Sequence, residues 1–162
     1  NKKNLSKFLD LLMHLNKKYN KKVIVSTHPR TVKKLGDKIH SLPKNIYFSK
    51  PFSYFDYSKL QLNAKIVLSD SGSISEEASI MNFDAINLRT TNERQEAIEY
   101  GVVGMAHFDL NIVDKLIMIA NKKYKKELVN DYNSDCFSKT FLNILLSYKN
   151  YVNGYTEKEK SK

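Results

Sequence analysis

The chain contains 162 residues, of which 41% are hydrophobic and 27% are charged. This length is enough for one domain with a sizeable core, and the composition is typical of a globular protein rather than a disordered or membrane-spanning one. The polar, basic N-terminus argues against a signal peptide. The single Cys136 excludes an internal disulfide and any metal site built from two thiolates. These features predict a cytoplasmic protein.

A net charge of +10 could indicate an anionic partner such as nucleic acid or a membrane surface. The charge comes mostly from lysines scattered along the whole chain, which favours an ordinary solvated surface and neither of those partners. Arginine is rare, since it occurs only at Arg30, Arg89 and Arg94. A flat guanidinium can bind phosphate or carboxylate through two parallel hydrogen bonds, so these three residues are candidates for holding an anion.

Short apolar segments alternate with stretches of helical periodicity along the chain. In chain order, the predicted elements are helix 4–20, strand 22–27, helix 29–39, strand 45–48, helix 53–63, strand 65–69, helix 73–82, strand 85–89, loop 90–99, strand 101–106, helix 110–122 and helix 138–151. The strand at 65–69 is expected to be fully buried, and the tail at 156–162 is expected to fray. The alternation predicts an α/β fold in which residues 1–155 form one Rossmann-like domain with a doubly wound parallel sheet.

In such a sheet, ligands bind beyond the carboxyl ends of the strands. His28 and Arg30 follow the first strand, and Pro29 between them stiffens the turn into a helix. The free amides at the start of that helix could bind an anion together with these two side chains. The alternative is an ordinary helix start that carries a basic pair on the surface.

The third strand leads into a turn of small residues, Ser71, Gly72 and Ser73, at the start of a helix. Small residues let the backbone approach a ligand closely, and a helix N-terminus attracts phosphate. Glu77, one turn into the helix, could accept hydrogen bonds from ribose hydroxyls. The alternative is a simple helix cap, because Ser73 and Glu76 have the spacing of a capping box, and both interpretations can hold at once.

The fourth strand leads into a charged segment that contains Arg94. A loop in this position would lie beside the turn of small residues, so Arg94 could add a positive charge to the same pocket; otherwise the segment is a solvated loop. Tyr57 precedes the third strand and could place its ring against a nucleobase, although aromatic residues at helical spacing are more often core residues. His14 and His40 have no charged cluster beside them and are interpreted as surface or core-edge histidines.

Three motifs occur in order: Ser-Thr-His-Pro-Arg-Thr at 26–31, Ser-Asp-Ser-Gly-Ser-Ile-Ser-Glu-Glu-Ala at 69–78, and Asn-Glu-Arg-Gln-Glu at 92–96. Together they resemble the non-hydrolysing UDP-N-acetylglucosamine 2-epimerase family, and the resemblance covers the C-terminal half of that family. It implies the C-terminal domain of a glycosyltransferase-B type architecture, in which the active site lies in the cleft between two Rossmann-like domains. Gln95 and Asp84 depart from the family pattern, because each stands where a proline is usual.

The resemblance also implies roles for the residues that match the family motifs. Ser71, Gly72 and Ser73 would hold the diphosphate, Glu77 the ribose hydroxyls, and Arg94 the diphosphate or the sugar side of the pocket. No residue of this chain is implied as an acid or base in the reaction.

Two further positions match family residues near the ligand. Tyr57 corresponds to an aromatic residue near the uracil, and His28 corresponds to a histidine that faces the cleft. Arg30, next to that histidine in the motif, is a further candidate contact to the cleft.

The implied activity is inversion at C2 of a UDP-N-acetylhexosamine, through elimination of UDP and its re-addition to the other face of a glycal. The acid and base for this chemistry are expected on a segment outside these residues, so the chain alone would bind UDP weakly without epimerising a sugar. No cofactor and no metal are expected. The expected partners are a UDP-sugar substrate, an N-terminal domain and, at full length, a second copy in a homodimer.

The substrate is left open between two branches that act in bacterial surface polysaccharide synthesis. One is UDP-N-acetylglucosamine 2-epimerase. The other is the UDP-N-acetyl-L-fucosamine synthase branch of capsule and O-antigen synthesis, which the Asp-Ser-Gly-Ser-Ile-Ser-Glu-Glu motif and the segment 147–153 resemble. Two other classes also stay open: a UDP-sugar glycosyltransferase domain of the same architecture, and a basic nucleic-acid-binding module, which would bind with a steep salt dependence.

Overall fold

Helices and strands alternate through most of the chain in the computed structural model, which describes residues 2–120 and 127–160. In chain order, the elements are α1 (Lys2–Tyr19), β1 (Val23–Ser26), α2 (Pro29–Leu35), a 3-10 segment (Gly36–Ile39), β2 (Ile46–Ser49), α3 (Tyr54–Asn63), β3 (Val67–Ser69), α4 (Ile74–Met81), β4 (Ala85–Asn87), α5 (Gln95–Glu99), β5 (Val103–Met105), α6 (Leu110–Ala120), a second 3-10 segment (Asn130–Tyr132) and α7 (Phe137–Lys160). The predicted end of α6 at 121–122 lies outside the described residues.

The described strands pair in parallel and form two hydrogen-bonded ladders. One ladder joins β1 to β2, and the other has the order β3-β4-β5, with Ile86 beside Leu68 on one side and Gly104 on the other. Helix α1 contacts the cores of both ladders. Its Leu11 packs in a cluster with residues of β4 and α6, and its Leu12 packs in a cluster with residues of β1 and β2.

The central strand β4 is covered on both faces, since its three residues are all buried. Successive residues of a strand point to opposite faces. Ile86 packs in the same cluster as residues of α1 and α6, whereas Ala85 and Asn87 point to the other side. Helices α4 and α5 also contact the strands of this ladder. The predicted α/β class, with helices packed around parallel strands, is confirmed.

The prediction of a fully buried strand at 65–69 is wrong for β3. Its residues Val67, Leu68 and Ser69 are each only partly buried. The reason is its place at the end of the β3-β4-β5 ladder, because only one of its edges is covered by a neighbouring strand of that ladder. Complete burial is instead a property of β4, which lies between two strands.

The prediction of a loop over the whole of 90–99 is wrong, because part of this segment forms helix α5. The segment Gln95–Glu99 forms one helical turn and a half, and Ala97 at its centre is fully buried. Glutamine, glutamate and alanine are good helix formers, but five residues are too few to show a helical period in the sequence. The buried alanine packs this turn against the domain and stabilises it.

Residues 130–162 form a second compact unit. Its described part consists of a 3-10 segment and α7, and α7 carries exposed apolar side chains that include Phe137, Phe141 and Leu145. The helix continues to Lys160, beyond the point at 156 where the sequence predicted a frayed tail. Within the described ranges, the helices are too short or too polar to cross a bilayer.

Candidate functional site

The turn that follows β3 is shaped by serine side chains. The Ser69 hydroxyl accepts a hydrogen bond from the Ser71 amide at 3.0 Å, which closes the turn directly after the strand. The Ser71 and Ser73 hydroxyl oxygens lie 3.0 Å apart and share a hydrogen bond. Ser71 and Ser73 are exposed at this edge of the domain, so a ligand can reach the backbone between them.

The capping box proposed for this helix does not form. Ser73 has a helical backbone (φ −68°, ψ −8°) and makes no side-chain cap, whereas a capping residue is usually extended. Its hydroxyl donates instead to Glu77 Oε1 at 2.7 Å. The carboxylate of Glu76, the other member of the proposed box, binds the Nε of Arg94. Both side chains are therefore turned toward the site rather than toward the helix end.

Glu77 is held at both of its carboxylate oxygens. Besides the bond from Ser73 to Oε1, the Gln61 Nε2 donates to Oε2 at 2.6 Å. Gln61 lies on α3 and is 2% exposed, whereas Glu77 is half-buried on α4. The carboxylate is thus fixed next to the turn by donors from two different segments.

Two guanidinium groups lie against the turn. A Cβ atom at Gly72 would stand 3.1 Å from Arg94 Nη1 and 3.2 Å from Arg89 Nη1, so glycine leaves the space that these groups occupy. Arg94 also binds Glu76, and Arg89 also binds Glu93 at 3.1 Å. Each guanidinium is thus paired with a carboxylate, and both groups place hydrogen-bond donors beside the turn at the start of a helix, which is an arrangement that can bind an anion.

Tyr57 belongs to the same cluster. The side chains of Ser69 and Gln61 lie close to its hydroxyl, and the carboxylates of Asp70 and Glu77 lie near enough to influence its ionisation. Burial is the largest effect on the pKa of Tyr57 and, together with those two carboxylates, raises it; the polar side chains of Ser69 and Gln61 act in the opposite direction. The phenol thus keeps its proton at neutral pH and can act as a donor.

A cavity of about 380 Å³ opens beside the turn, at the carboxyl ends of β3, β4 and β5. Asp70 and Arg89 belong both to this cavity and to the surroundings of the turn. The other lining residues are Lys7, Leu88, Thr90, Thr91, His107 and Phe108. Charged, hydroxyl and aromatic groups are all within reach of a ligand held at the turn.

The first-strand motif lies on the other ladder. His28 is the N-cap of α2, and its Nδ1 accepts a hydrogen bond from the Arg30 amide at 3.2 Å. Both residues are exposed. The contacts described above bring together Tyr57, Gly72 and Glu77 with the serines and Arg94, but not His28 and Arg30.

Sequence reasoning missed two side-chain partners that shape this site: Gln61 as a partner of Glu77, and Glu76 as the partner of Arg94. The structure shows Gln61 to be buried, and a buried polar side chain needs a partner, but neither its burial nor that partner follows from the sequence. The rarity of arginine had already marked Arg89 as a candidate for holding an anion, and the fold adds its place beside Gly72. The pairing of Glu76 with Arg94 joins residues that are far apart in the sequence and becomes visible only in the fold.

Comparison with known proteins identifies the family. The family model described as UDP-N-acetylglucosamine 2-epimerase matches residues 1–146. The curated UDP-N-acetylglucosamine 2-epimerase of Methanococcus maripaludis is 33% identical over 153 residues, which are 90% of this chain and 40% of that protein. This chain thus spans about two fifths of the length of that relative.

Solved structures agree with the sequence match. The UDP-N-acetylglucosamine 2-epimerase from Rickettsia bellii is 40% identical with a TM-score of 0.79, over 93% of this chain and 43% of that one. The Methanocaldococcus jannaschii UDP-GlcNAc 2-epimerase, solved in complex with UDP-GlcNAc and UDP, is 30% identical with a TM-score of 0.80, over 91% of this chain and 41% of that one. This chain belongs to the UDP-N-acetylglucosamine 2-epimerase family.

Proposed function

We propose that this chain is the nucleotide-holding half of a UDP-N-acetylhexosamine 2-epimerase. The observation that carries the proposal is the convergence of Glu77 and two guanidinium groups on the turn around Gly72. A diphosphate needs donors and positive charge, and a ribose needs an acceptor for its two hydroxyls. The cluster offers both within one small area.

Each group has a defined part in holding the nucleotide. The Gly72 and Ser73 amides and the Ser71 hydroxyl bind the diphosphate, and Arg94 and Arg89 add charge from the side. Glu77 accepts the ribose hydroxyls. Tyr57, which lies next to Glu77, contacts the uracil. The neighbouring cavity of about 380 Å³ leaves room for a hexosamine attached to the diphosphate.

This arrangement assists the reaction through the leaving group. In the elimination, a base removes the C2 proton, the electron pair forms the C1–C2 double bond, and the C1–O bond breaks with its electrons passing to the diphosphate. Fixed guanidinium groups stabilise the charge that develops on the departing UDP. Re-addition of the same UDP, with protonation at the other face of C2, completes the inversion. The proposal assigns the proton-moving groups to no residue of this chain.

UDP-N-acetylglucosamine is the proposed substrate, because the relatives described above carry the name of that epimerase. The alternative UDP-N-acetyl-L-fucosamine synthase branch rests on the motif at 70–77. An assay of the full-length protein with UDP-N-acetylglucosamine and with the UDP-6-deoxy-talosamine sugar separates the two. Epimerisation of only the second sugar would overturn the first assignment.

We place the full-length enzyme in the cytoplasm, as a homodimer that serves bacterial surface polysaccharide synthesis.

Calorimetric titration of the chain with UDP tests the nucleotide-holding role. We expect weak, saturable binding and a rise in melting temperature with UDP. A single-stranded RNA oligonucleotide at equal phosphate concentration should not raise the melting temperature. Absence of UDP binding, or a stabilisation by RNA that salt abolishes, would contradict the proposal and favour a nucleic-acid-binding module.

Turnover by the chain alone is a separate test. The proposal expects no epimerisation of UDP-N-acetylglucosamine by the 162 residues, even at concentrations that bind UDP. Measurable epimerisation would show that the acid and base lie within this chain. Sugar transfer from UDP to an acceptor by the full-length protein would instead assign it to the glycosyltransferases.

A further inference from the structure

The carboxylate of Glu77 has a donor on each oxygen. Ser73 Oγ donates to Oε1 at 2.7 Å, and Gln61 Nε2 donates to Oε2 at 2.6 Å. The two donors come from different segments, α3 and the turn before α4. A side chain held from two directions cannot rotate about its terminal bond without breaking one of these hydrogen bonds.

The Glu77 carboxylate can still accept two further hydrogen bonds, which matches the two hydroxyls of a diol. An ionised carboxylate has about four lone-pair positions, two on each oxygen. The two donors occupy one position on each oxygen and leave one free on each. Two neighbouring hydroxyls, such as the 2′- and 3′-hydroxyls of ribose, can then bind one oxygen each.

The buried position of Gln61 is energetically unfavourable in one respect. It is 2% exposed, and its Oε1 is buried without a hydrogen-bond partner among the described residues. A buried acceptor without a partner is unfavourable, and an apolar side chain of the same length would avoid it. The compensation is its amide NH₂ group, which donates a hydrogen bond to Glu77.

Ser73 connects the other oxygen of Glu77 to the proposed phosphate-binding turn. Its hydroxyl is 2.7 Å from Glu77 Oε1 and 3.0 Å from the hydroxyl of Ser71. The orientation of the carboxylate is therefore linked to the geometry of the turn. A diphosphate in the turn and a ribose at Glu77 would meet a surface whose parts are already aligned, which lowers the ordering cost of binding.

We infer that Gln61 and Ser73 are positioning residues that fix the Glu77 carboxylate for two vicinal ribose hydroxyls and thereby make the chain select ribonucleotides over 2′-deoxyribonucleotides. The inference rests on the proposed function, since it assigns the ribose to Glu77. It adds the residues that make this contact selective. They touch no reacting atom and act only through Glu77.

The test compares the affinities of the 162-residue chain for UDP and for 2′-deoxy-UDP by calorimetry. We expect the wild-type chain to bind UDP about tenfold more tightly, which corresponds to about 1.4 kcal/mol. Gln61→Met keeps the length of the side chain and removes the donor. It should weaken UDP binding more than 2′-deoxy-UDP binding, because the deoxynucleotide keeps only the 3′-hydroxyl contact to Glu77, and it should bring the ratio of the two dissociation constants closer to one.

Two further variants address position 73. Ser73→Ala should lower the ratio in the same direction, and Ser73→Thr, which keeps a hydroxyl, should restore most of it. In a Glu77→Ala background, Gln61→Met should have no further effect on the ratio, because both changes act through one carboxylate. Loss of protein structure would instead weaken the binding of both nucleotides to the same extent, and circular dichroism would detect it.

Lys59→Met serves as the matched control on the same helix. Lys59 is exposed on α3, and the loss of its charge would change the affinity for both nucleotides equally, so the ratio should stay at the wild-type value. A wild-type ratio near one, or an unchanged ratio in Gln61→Met and Ser73→Ala, would overturn the inference while leaving UDP binding intact. Failure of the wild-type chain to bind UDP would overturn the proposed function as well.

Discussion

At the scale of single residues, the site depends on which partner each polar side chain takes. The sequence spacing allowed Ser73 and Glu76 to cap α4, yet Ser73 donates to Glu77 and Glu76 binds Arg94. Spacing along a helix identifies neighbours on that helix only. The competing partner, Arg94, comes from a segment beyond β4, and a charged partner forms a stronger hydrogen bond than a neutral amide.

Gly72 should matter for ligand binding more than for folding. In Gly72→Ala, the new methyl group would stand 3.1 Å from Arg94 Nη1 and 3.2 Å from Arg89 Nη1. The flexible ends of these arginines can move aside, so we expect little change in melting temperature. Their displacement from the anion site should weaken UDP binding by about tenfold, or about 1.4 kcal/mol.

Calorimetry with UDP checks this expectation, and Gly154→Ala provides the same chemical change as a control. A Cβ at Gly154 meets no atom within 4 Å, so that variant should bind UDP as the wild-type chain does. An unchanged affinity in Gly72→Ala would show that the guanidinium groups beside the turn do not hold the nucleotide.

Asp114 joins α6 to α1 through a polar network that the sequence did not reveal. It accepts hydrogen bonds from Lys18 at 2.7 Å, from Tyr19 at 2.8 Å, and shares one of 3.0 Å with His14. His14, interpreted from sequence as a surface or core-edge histidine, is therefore part of a helix–helix contact. The two ends of this network lie about one hundred positions apart, so no local pattern could indicate it.

The network makes the stability of the fold depend on pH. Burial alone would raise the pKa of Asp114, but the hydrogen bonds from Lys18, His14 and Tyr19 outweigh it and lower the pKa from 3.8 to about 2. Burial, the hydrogen bond to Asp114 and its charge also raise the pKa of Tyr19 to about 12. Because the folded pKa of Asp114 is the lower one, its stabilisation is complete at neutral pH and is lost as the pH falls from about 5 towards 2.

Asp114→Asn should therefore lower the free energy of unfolding at pH 7 by about 1–3 kcal/mol, through the loss of charge-assisted hydrogen bonds. The difference in the free energy of unfolding between Asp114→Asn and the wild-type chain should become smaller when urea denaturation is repeated near pH 3. Asp10→Asn removes an exposed carboxylate from α1 and should change stability by less than about 0.5 kcal/mol. An equal loss for Asp114→Asn at both pH values would contradict this account.

At the scale of elements, the arrangement of β5 and α6 depends on a close approach. A Cβ atom at Gly104 on β5 would lie 2.5 Å from Leu116 Cδ2 and 2.6 Å from its Cδ1. Leu116 packs against the core cluster that contains Ile86 and Val113. To make room for a Cβ, the partly buried leucine would have to change its packing against this cluster.

Gly104→Ala should consequently destabilise the domain by about 1–3 kcal/mol through overpacking. Leu116→Ala removes the clashing atoms, so the double variant should lose less stability than the sum of the two single variants. Urea denaturation of the four proteins measures this coupling. Strict additivity of the two changes would show that β5 and α6 are further apart than described.

Element order was predictable because apolar segments and turn residues alternate so regularly. Pro29 at the start of α2 and the small residues before α4 gave these boundaries to within a residue or two. The one turn of α5 and the half-burial of β3 were not predictable, since the first is too short for a period and the second depends on the order of strands. Both are consequences of tertiary packing.

At the scale of the whole molecule, the sequence predicted the family and most of the candidate site. Ser71, Gly72, Ser73, Glu77 and Arg94 lie in one cluster, with Tyr57 beside it, as parallel strands that share a carboxyl edge require. Their roles in holding a nucleotide stay a prediction. Gln61 could not be foreseen as a partner of Glu77, because its helix must first be packed against α4.

The most direct test of the central claim is mapping of UDP onto the chain by backbone amide chemical shifts. Titration of the isotopically labelled chain with UDP should shift the amides of Ser71, Gly72 and Ser73 most, together with the side-chain signal of Arg94. Amides of exposed residues on α7 serve as an internal reference and should stay in place. Saturable shifts confined to residues away from the turn after β3 would contradict the account.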